Sequence, residues 1–429
     1  MDGSDPGETL EGVAEAYVRL GLRLGRVVPG LVDAHLGDPR TARAVAAGPP
    51  PDPEGLRREA VALRHRLVGV PGRRAEFLDA QLAACAVIAD RALGRGPGFV
   101  AEVRECLGVE VGPGGTDRYA AAHDALAGLL GVPRRRLPAA LAAFRARDVV
   151  PRSVLRDATG SLLRGLRAAT VAAVGLPPGE SLDLEIVDGA PWAGFSHRVA
   201  PGRSVMQVAA DAGHRWSHLP PLAAHEAYPG HHTEAVRTEG TSLPERTLLL
   251  ARTPQSLVAE GAAEVGLDAV VGSGWGPWAA RCLEEAGVPG PDPAHAALGE
   301  AVEVASGPLD AVRQDAALLL HASPGVDRER SAREHLRRWL LVDDARADRM
   351  LGFLGHPRWR IHTTTYVEGT RLVRPWLDAR PAGTAAGTRF ARLLDESWTP
   401  AALRRETRVP DRGERYPRHA DDTPMSPTV

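Results

Sequence analysis

The chain has 429 residues, 44% of them hydrophobic and 25% charged, a balance that fits a folded globular protein rather than a disordered or fibrous one. A formal net charge of -2 with no block of like charge excludes the electrostatic footprint of a nucleic-acid or membrane-surface binder, leaving peptides or small molecules as the expected partners. All 52 basic residues are arginine, which excludes Schiff-base catalysis and a P-loop lysine.

Taken in chain order, the first eight residues are expected to be disordered, and the stretch Met1 to Gly12 is acidic with no apolar core of a signal peptide. Pro/Gly punctuation at 48–55 marks a connection, and apolar residues at helical spacing predict helices over 73–93, 117–130, 137–147 and 153–174. The expected fold class is mainly α. Cys85, Cys106 and Cys282 are few, odd in number and far apart, which argues against a disulfide framework or a cysteine-based zinc site and for a reducing compartment. No run of about 18 apolar residues occurs, so a cytoplasmic protein without membrane partners is expected.

Residues 181–187 alternate Leu182, Leu184 and Ile186 with polar residues, and 205–208 follows after a glycine-containing turn. With 192–199 as the middle strand, these form an expected small antiparallel sheet, about 181–209, lining a cleft. An edge strand there would bind an extended peptide by backbone hydrogen bonds.

The segment His225-Glu226-Ala227-Tyr228-Pro229-Gly230-His231-His232 carries the chemistry. Pro220 and Pro221 are placed to start a helix that contains His225. On an unbroken helix His231 would point about 240° away from His225, and His232 would share its face about 10 Å further along, so neither would share a metal with it. Pro229 and Gly230 predict a kink that takes up two extra residues and returns His231 to the side of His225. Glu226 is then free to take a proton from water.

A third ligand is expected from Glu260, in a helix opened by Thr253 and Pro254, with Gly261 leaving room for another helix. Glu260, Glu264 and Asp268 at every fourth residue also fit an ordinary solvated stripe. The Pro/Gly run at 287–293 marks another connection. Further on, His362 and Tyr366 share one helical face, either packed against neighbouring helices or with the phenol donating to a developing oxyanion. His232, His362, His197 and Glu264 are further candidates to steady a ligand or touch substrate, as are His214 and His218. From Arg404 to the end, apolar periodicity fades and a disordered tail is expected.

The motifs His225-Glu226-x-x-Pro229-Gly230-His231, Glu260-Gly261 and Tyr366-x-x-Gly369, within 182–377, resemble the domain of unknown function 885 family, itself similar to carboxypeptidase Taq and related gluzincin metallopeptidases. The resemblance implies a mostly helical, two-lobed catalytic domain, here 9–403, around a long cleft. It implies one zinc ion on His225, His231 and Glu260, with Glu226 as general base and Tyr366 as oxyanion stabiliser. The expected function is hydrolysis of a peptide or small amide substrate. The alternatives are an inactive metal-binding scaffold and a metal enzyme acting on a non-peptide substrate in a specialised pathway.

Overall fold

The computed structural model describes residues 6–408 apart from 324 and 326, and these are mainly helical, as expected. First come α1 (Pro6–Val27), strand β1 (Val32–His35), α2 (Pro39–Ala47), α3 (Pro53–Arg66), α4 (Arg73–Ala92), α5 (Phe99–Leu107), α6 (Thr116–Leu129), α7 (Leu137–Arg147) and α8 (Arg152–Ala173). Strands β2 (Ser181–Val187), β3 (Gly194–Ala200) and β4 (Arg203–Ala209) follow, then α9 (Leu219–Glu226), α10 (His231–Thr238), β5 (Leu248–Leu250) and α11 (Pro254–Val270). The remainder is α12 (Trp275–Glu285), α13 (Pro293–Ser306), α14 (Ala311–His321), α15 (Arg328–Leu340), α16 (Asp344–Gly355), α17 (His362–Asp378), α18 (Ala386–Asp395) and α19 (Pro400–Arg408).

Several helices begin where the sequence supplies both a cap and a proline. Asp52 accepts hydrogen bonds from the backbone of Glu54 and Gly55 ahead of α3, and Thr253 and Ser256 cap each other's backbone at the start of α11, with prolines at 53 and 254 in the first turn. The buried apolar side chains fall into two clusters. The larger joins α1 and α3 through α7 with α14 through α19, and the smaller joins α8, β4, α9 and α12. Helix α11 feeds both, sending Leu257, Val258, Ala262 and Val265 into the larger and Leu267 into the smaller. No helix among the described residues is long and apolar enough to cross a membrane.

The sheet differs from the antiparallel expectation. Its order is β2-β4-β3, with β2 parallel and β3 antiparallel to β4, so β4 and not the segment near 192–199 is the middle strand. Burial explains the order. Ser204, Val205, Met206, Val208 and Ala209 of β4 are buried on both faces, as a central strand requires, whereas Phe195 and Val199 of β3 remain exposed at an edge. A tight turn with Gly202 at φ 68° joins β3 to β4. A second small sheet, β1 antiparallel to β5, is too short to show an alternating pattern in sequence.

The ends also differ. Pro6, Gly7 and Glu8, expected to be loose, begin α1, while residues 1–5 lie outside the described residues. Arg404 to Arg408, expected to open a disordered tail, complete α19, and 409–429 lie outside the described residues. The reason is electrostatic more than apolar. The Glu406 carboxylate accepts hydrogen bonds from Trp376 Nε1 at 2.7 Å and Arg392 Nη2 at 2.6 Å, and Arg73 approaches it at 3.2 Å. Buried Ala402 and Leu403 anchor the same helix. A chain ending at Leu403 is therefore expected to melt about 1–2 °C below one ending at Arg408, from the loss of about 1–2 kcal/mol of charge-assisted bonding. Equal melting temperatures by calorimetry would show that Glu406 contributes nothing.

Candidate metal centre and active site

Helix α9 carries its prolines in the first turn, as the sequence predicts, and runs only to Glu226. The expected kink is a complete break: Ala227 leaves the helical region at φ -120°, ψ -87°, and α10 starts afresh at His231. Between them the chain doubles back, and the Gly230 amide donates to the Ala224 carbonyl at 2.9 Å. Gly230 sits so tightly on α9 that an added Cβ would lie 1.8 Å from the His225 carbonyl oxygen, so no side chain fits there. The consequence is that His231 returns to His225, with ring centroids 4.7 Å apart and planes at 89°.

Glu260 meets both rings. Its Oε2 lies 3.4 Å from His225 Nε2 and 3.7 Å from His231 Nε2, and the three donors all fall within 4.8 Å of one another. Donors around a tetrahedral zinc at about 2.0–2.1 Å are themselves about 3.3 Å apart, so the three need only small adjustments to share an ion. Glu260 Oε2 is buried with no hydrogen-bond partner, an expensive state for a carboxylate unless a cation faces it. Burial would raise its pKa, but the facing imidazoles of His231 and His225 outweigh burial and hold it well below the usual range. Two nitrogens and one carboxylate oxygen are a donor set that fits a divalent cation.

The ring of His225 is fixed from behind. Glu264, one turn beyond Glu260 on α11, places Oε1 3.3 Å from His225 Nδ1, which turns Nε2 toward Glu260. Burial would lower the His225 pKa, yet the carboxylates of Glu260 and Glu264 raise it well above the ordinary histidine value.

Gly261 does leave room for another helix, and that helix is α17. A Cβ on Gly261 would meet the Gly369 backbone at 2.5 Å, and a Cβ on Gly369 would meet the Leu257 carbonyl at 2.6 Å. This close crossing brings Tyr366, one turn before Gly369, to the centre, with its ring centroid 6.0 Å from that of His225. The Tyr366 hydroxyl and His362 Nε2 are 2.9 Å apart. Burial and the charges of Glu260, Glu226 and Glu264 keep the phenol protonated by raising its pKa well above the ordinary value. Glu226 is buried beside the cluster, its charge acting on both histidines and on Tyr366, and Gly194 of β3 passes close to its side chain.

Other candidates lie elsewhere. His232 points away, bonding Ser204 Oγ at 2.8 Å through Nδ1 and Glu180 Oε2 at 2.9 Å through Nε2, where Tyr228 also donates to Glu180 at 2.7 Å. Ser204, His232 and Glu180 are all buried, so this chain latches α10 to the sheet rather than facing substrate. His197 stacks on Phe195, on the face of β3 opposite Gly194. His214 bonds the Ala209 carbonyl, and His218 stands at the start of α9 within reach of the charges of Glu303, Arg215, Glu264 and Arg313.

The sequence reading missed Asp33 and Glu234. Asp33 in β1 is exposed at its surface; the protein packed around it and the charge of Glu260 push it up to about 7 against the opposing pull of His231. Glu234, one turn after His231, is also raised by burial while His231 pulls it down. Neither residue belongs to a recognisable spacing, and Asp33 comes from a distant strand. Comparison with known protein families, curated proteins and solved structures finds no match for this chain.

Replacing His225, His231 or Glu260 by alanine is expected to empty the site, as read by metal content after gel filtration. His232→Ala is expected to keep the metal and lose stability instead. Glu264→Gln, which only loosens the orientation of His225, is expected to weaken metal binding about 10–100-fold. Full metal content in His231→Ala would remove that residue from the ligand set.

Proposed function

We propose that this protein is a zinc-dependent hydrolase of peptide or peptide-like amide bonds. The observation that carries this reading is the convergence of His225 Nε2, His231 Nε2 and Glu260 Oε2, with Glu226 and Tyr366 both beside them. The ion, held by His225, His231 and Glu260, would supply Lewis acidity at the scissile carbonyl and the attacking water.

The chain's own groups then divide the work. Glu226 accepts the proton from the water and returns it to the departing amine. Tyr366, kept protonated, donates to the oxygen of the tetrahedral intermediate, and His362 holds the phenol in place. Glu264 steadies His225 through Nδ1. Strand β3, at the sheet edge next to Glu226, offers backbone groups to an extended peptide. The resemblance to the domain of unknown function 885 family and the gluzincins supports the same assignment. Three free cysteines, two of them buried, fit a reducing, cytoplasmic setting.

Glu226→Gln preserves size while removing the proton acceptor. It is expected to keep zinc and thermal stability but to lose on the order of 10²-fold or more in turnover on a peptide library. Tyr366→Phe should lower turnover with little change in substrate affinity, since its bond forms in the transition state. A zinc-loaded wild-type chain that cleaves no amide would leave the scaffold reading, and undiminished turnover in Glu226→Gln would assign the base elsewhere.

A further inference from the structure

Aromatic side chains are scarce in this chain and mostly interior. Phe, Trp and Tyr make up 4% of the residues, and of the six phenylalanines four are buried. Phe353 of α16 is 40% exposed, and its ring neighbours the candidate centre. It lies parallel to the Trp359 ring, with centroids 6.0 Å apart and planes at 8°, and 6.4 Å from the His362 ring at 62°. Trp359 and His362 close the triangle at 5.7 Å and 61°.

The triangle leads into the centre. His362 Nε2 and the Tyr366 hydroxyl are 2.9 Å apart, the two ring centroids are 5.0 Å apart, and Tyr366 lies 6.0 Å from His225. Rings therefore run without a gap from the surface at Phe353 to a candidate metal ligand. Along this row Trp359, His362 and Tyr366 each keep part of their surface in water.

The patch is also held in place. The Trp359 amide donates to the His356 carbonyl at 3.0 Å, and the His362 amide donates to the Trp359 carbonyl at 2.9 Å, so the turn between α16 and α17 fixes the two rings together. The Arg358 guanidinium lies over the indole, 4.3 Å from the ring centroid, in a space left by Gly30, where an added Cβ would overlap it. Rings fixed in this way cost little to order when a ligand arrives. A single exposed ring is ordinary, whereas exposed rings contiguous with one another and with a candidate centre mark a binding surface. Rings that serve only as packing are covered here, as Trp376, Trp398 and Phe390 are.

We propose that Phe353, Trp359 and His362 form a subsite for an aromatic side chain of the substrate, so that the favoured substrate is a peptide or amide carrying a Phe, Tyr or Trp ring near the reacting bond. A ring laid against Phe353 extends the parallel pair and meets His362 at a steep angle, contacts that favour an aromatic ring over a saturated group of equal size. The placement near the reacting bond rests on the hydrolase reading; recognition of the ring does not.

The test uses full-length, zinc-loaded Glu226→Gln protein and calorimetric binding of three peptides: acetyl-Ala-Phe-Ala, acetyl-Ala-Leu-Ala and the same peptide with cyclohexylalanine at the centre. The alanines let each peptide choose its register. The phenylalanine peptide should bind about fivefold or more tighter than either of the others. Phe353→Leu, and independently Trp359→Leu, should bring it to the affinity of the leucine peptide with zinc content unchanged, while Trp359→Phe should keep part of the preference. Equal affinity for the phenylalanine and cyclohexylalanine peptides, or no measurable binding of the phenylalanine peptide at millimolar concentration, would overturn the subsite. So would a preference that survives both leucine substitutions, even if they lower the melting temperature, since the rings would then serve only as packing. Ring preference in binding without amide cleavage by the zinc-loaded wild-type chain would keep the subsite and sink the hydrolase reading, and cleavage without ring preference would do the reverse.

Discussion

Everything at the candidate centre hangs on how closely two pieces of chain approach α11. Gly261 lets the backbone of α17 lie against it at Gly369, and Gly266 accepts Pro229, where an added Cβ would stand 2.8 Å from the proline ring. Ordinary helix pairs keep their axes about 8–10 Å apart because side chains intervene. Here the missing side chains at 261, 266 and 369 let backbone meet backbone and backbone meet proline. The first contact delivers Tyr366 and His362, and the second delivers the turn that carries His231 back to His225. Glu260 and Glu264 project from α11 itself, between the two.

That arrangement concentrates acid. Glu226, Glu260 and Glu264 surround two imidazoles in a largely enclosed space, with Asp33 and Glu234 nearby. In the free chain the imidazoles are driven toward their protonated form to offset the carboxylates, an arrangement a divalent cation would replace while satisfying the unpartnered Glu260 oxygen. The same electrostatic economy runs through the fold: Glu406 ties α19 to α4, α17 and α18, and Glu180 ties α8, α10 and the sheet through Arg167, Tyr228 and His232.

Local rules made much of this legible in sequence. The 3.6-residue period marked α4, α6, α7 and α8, and the Pro229-Gly230 break was enough to bring His231 and not His232 back to His225. Gly261 announced a close helix, though not which one. What sequence withheld depends on distant pairing. The order of β2, β3 and β4 turns on which strand is covered on both faces, and a strand's own alternation does not reveal that. Helix α19 was obscured because a polar network rather than an apolar face holds Glu406. Asp33 comes from a separate segment and shares no spacing with His231 or Glu260, so only the folded chain brings it within reach of their charges.

The central claim is that His225, His231 and Glu260 share one ion, and the most direct measurement is anomalous scattering at the zinc absorption edge from crystals of the full-length protein grown with stoichiometric zinc. The account predicts one strong peak about 2.0–2.2 Å from His225 Nε2, His231 Nε2 and a Glu260 carboxylate oxygen, with Glu226 turned toward it but not bound. A peak coordinated by His232 or by Glu226, or no peak at this cluster with zinc bound elsewhere, would contradict it.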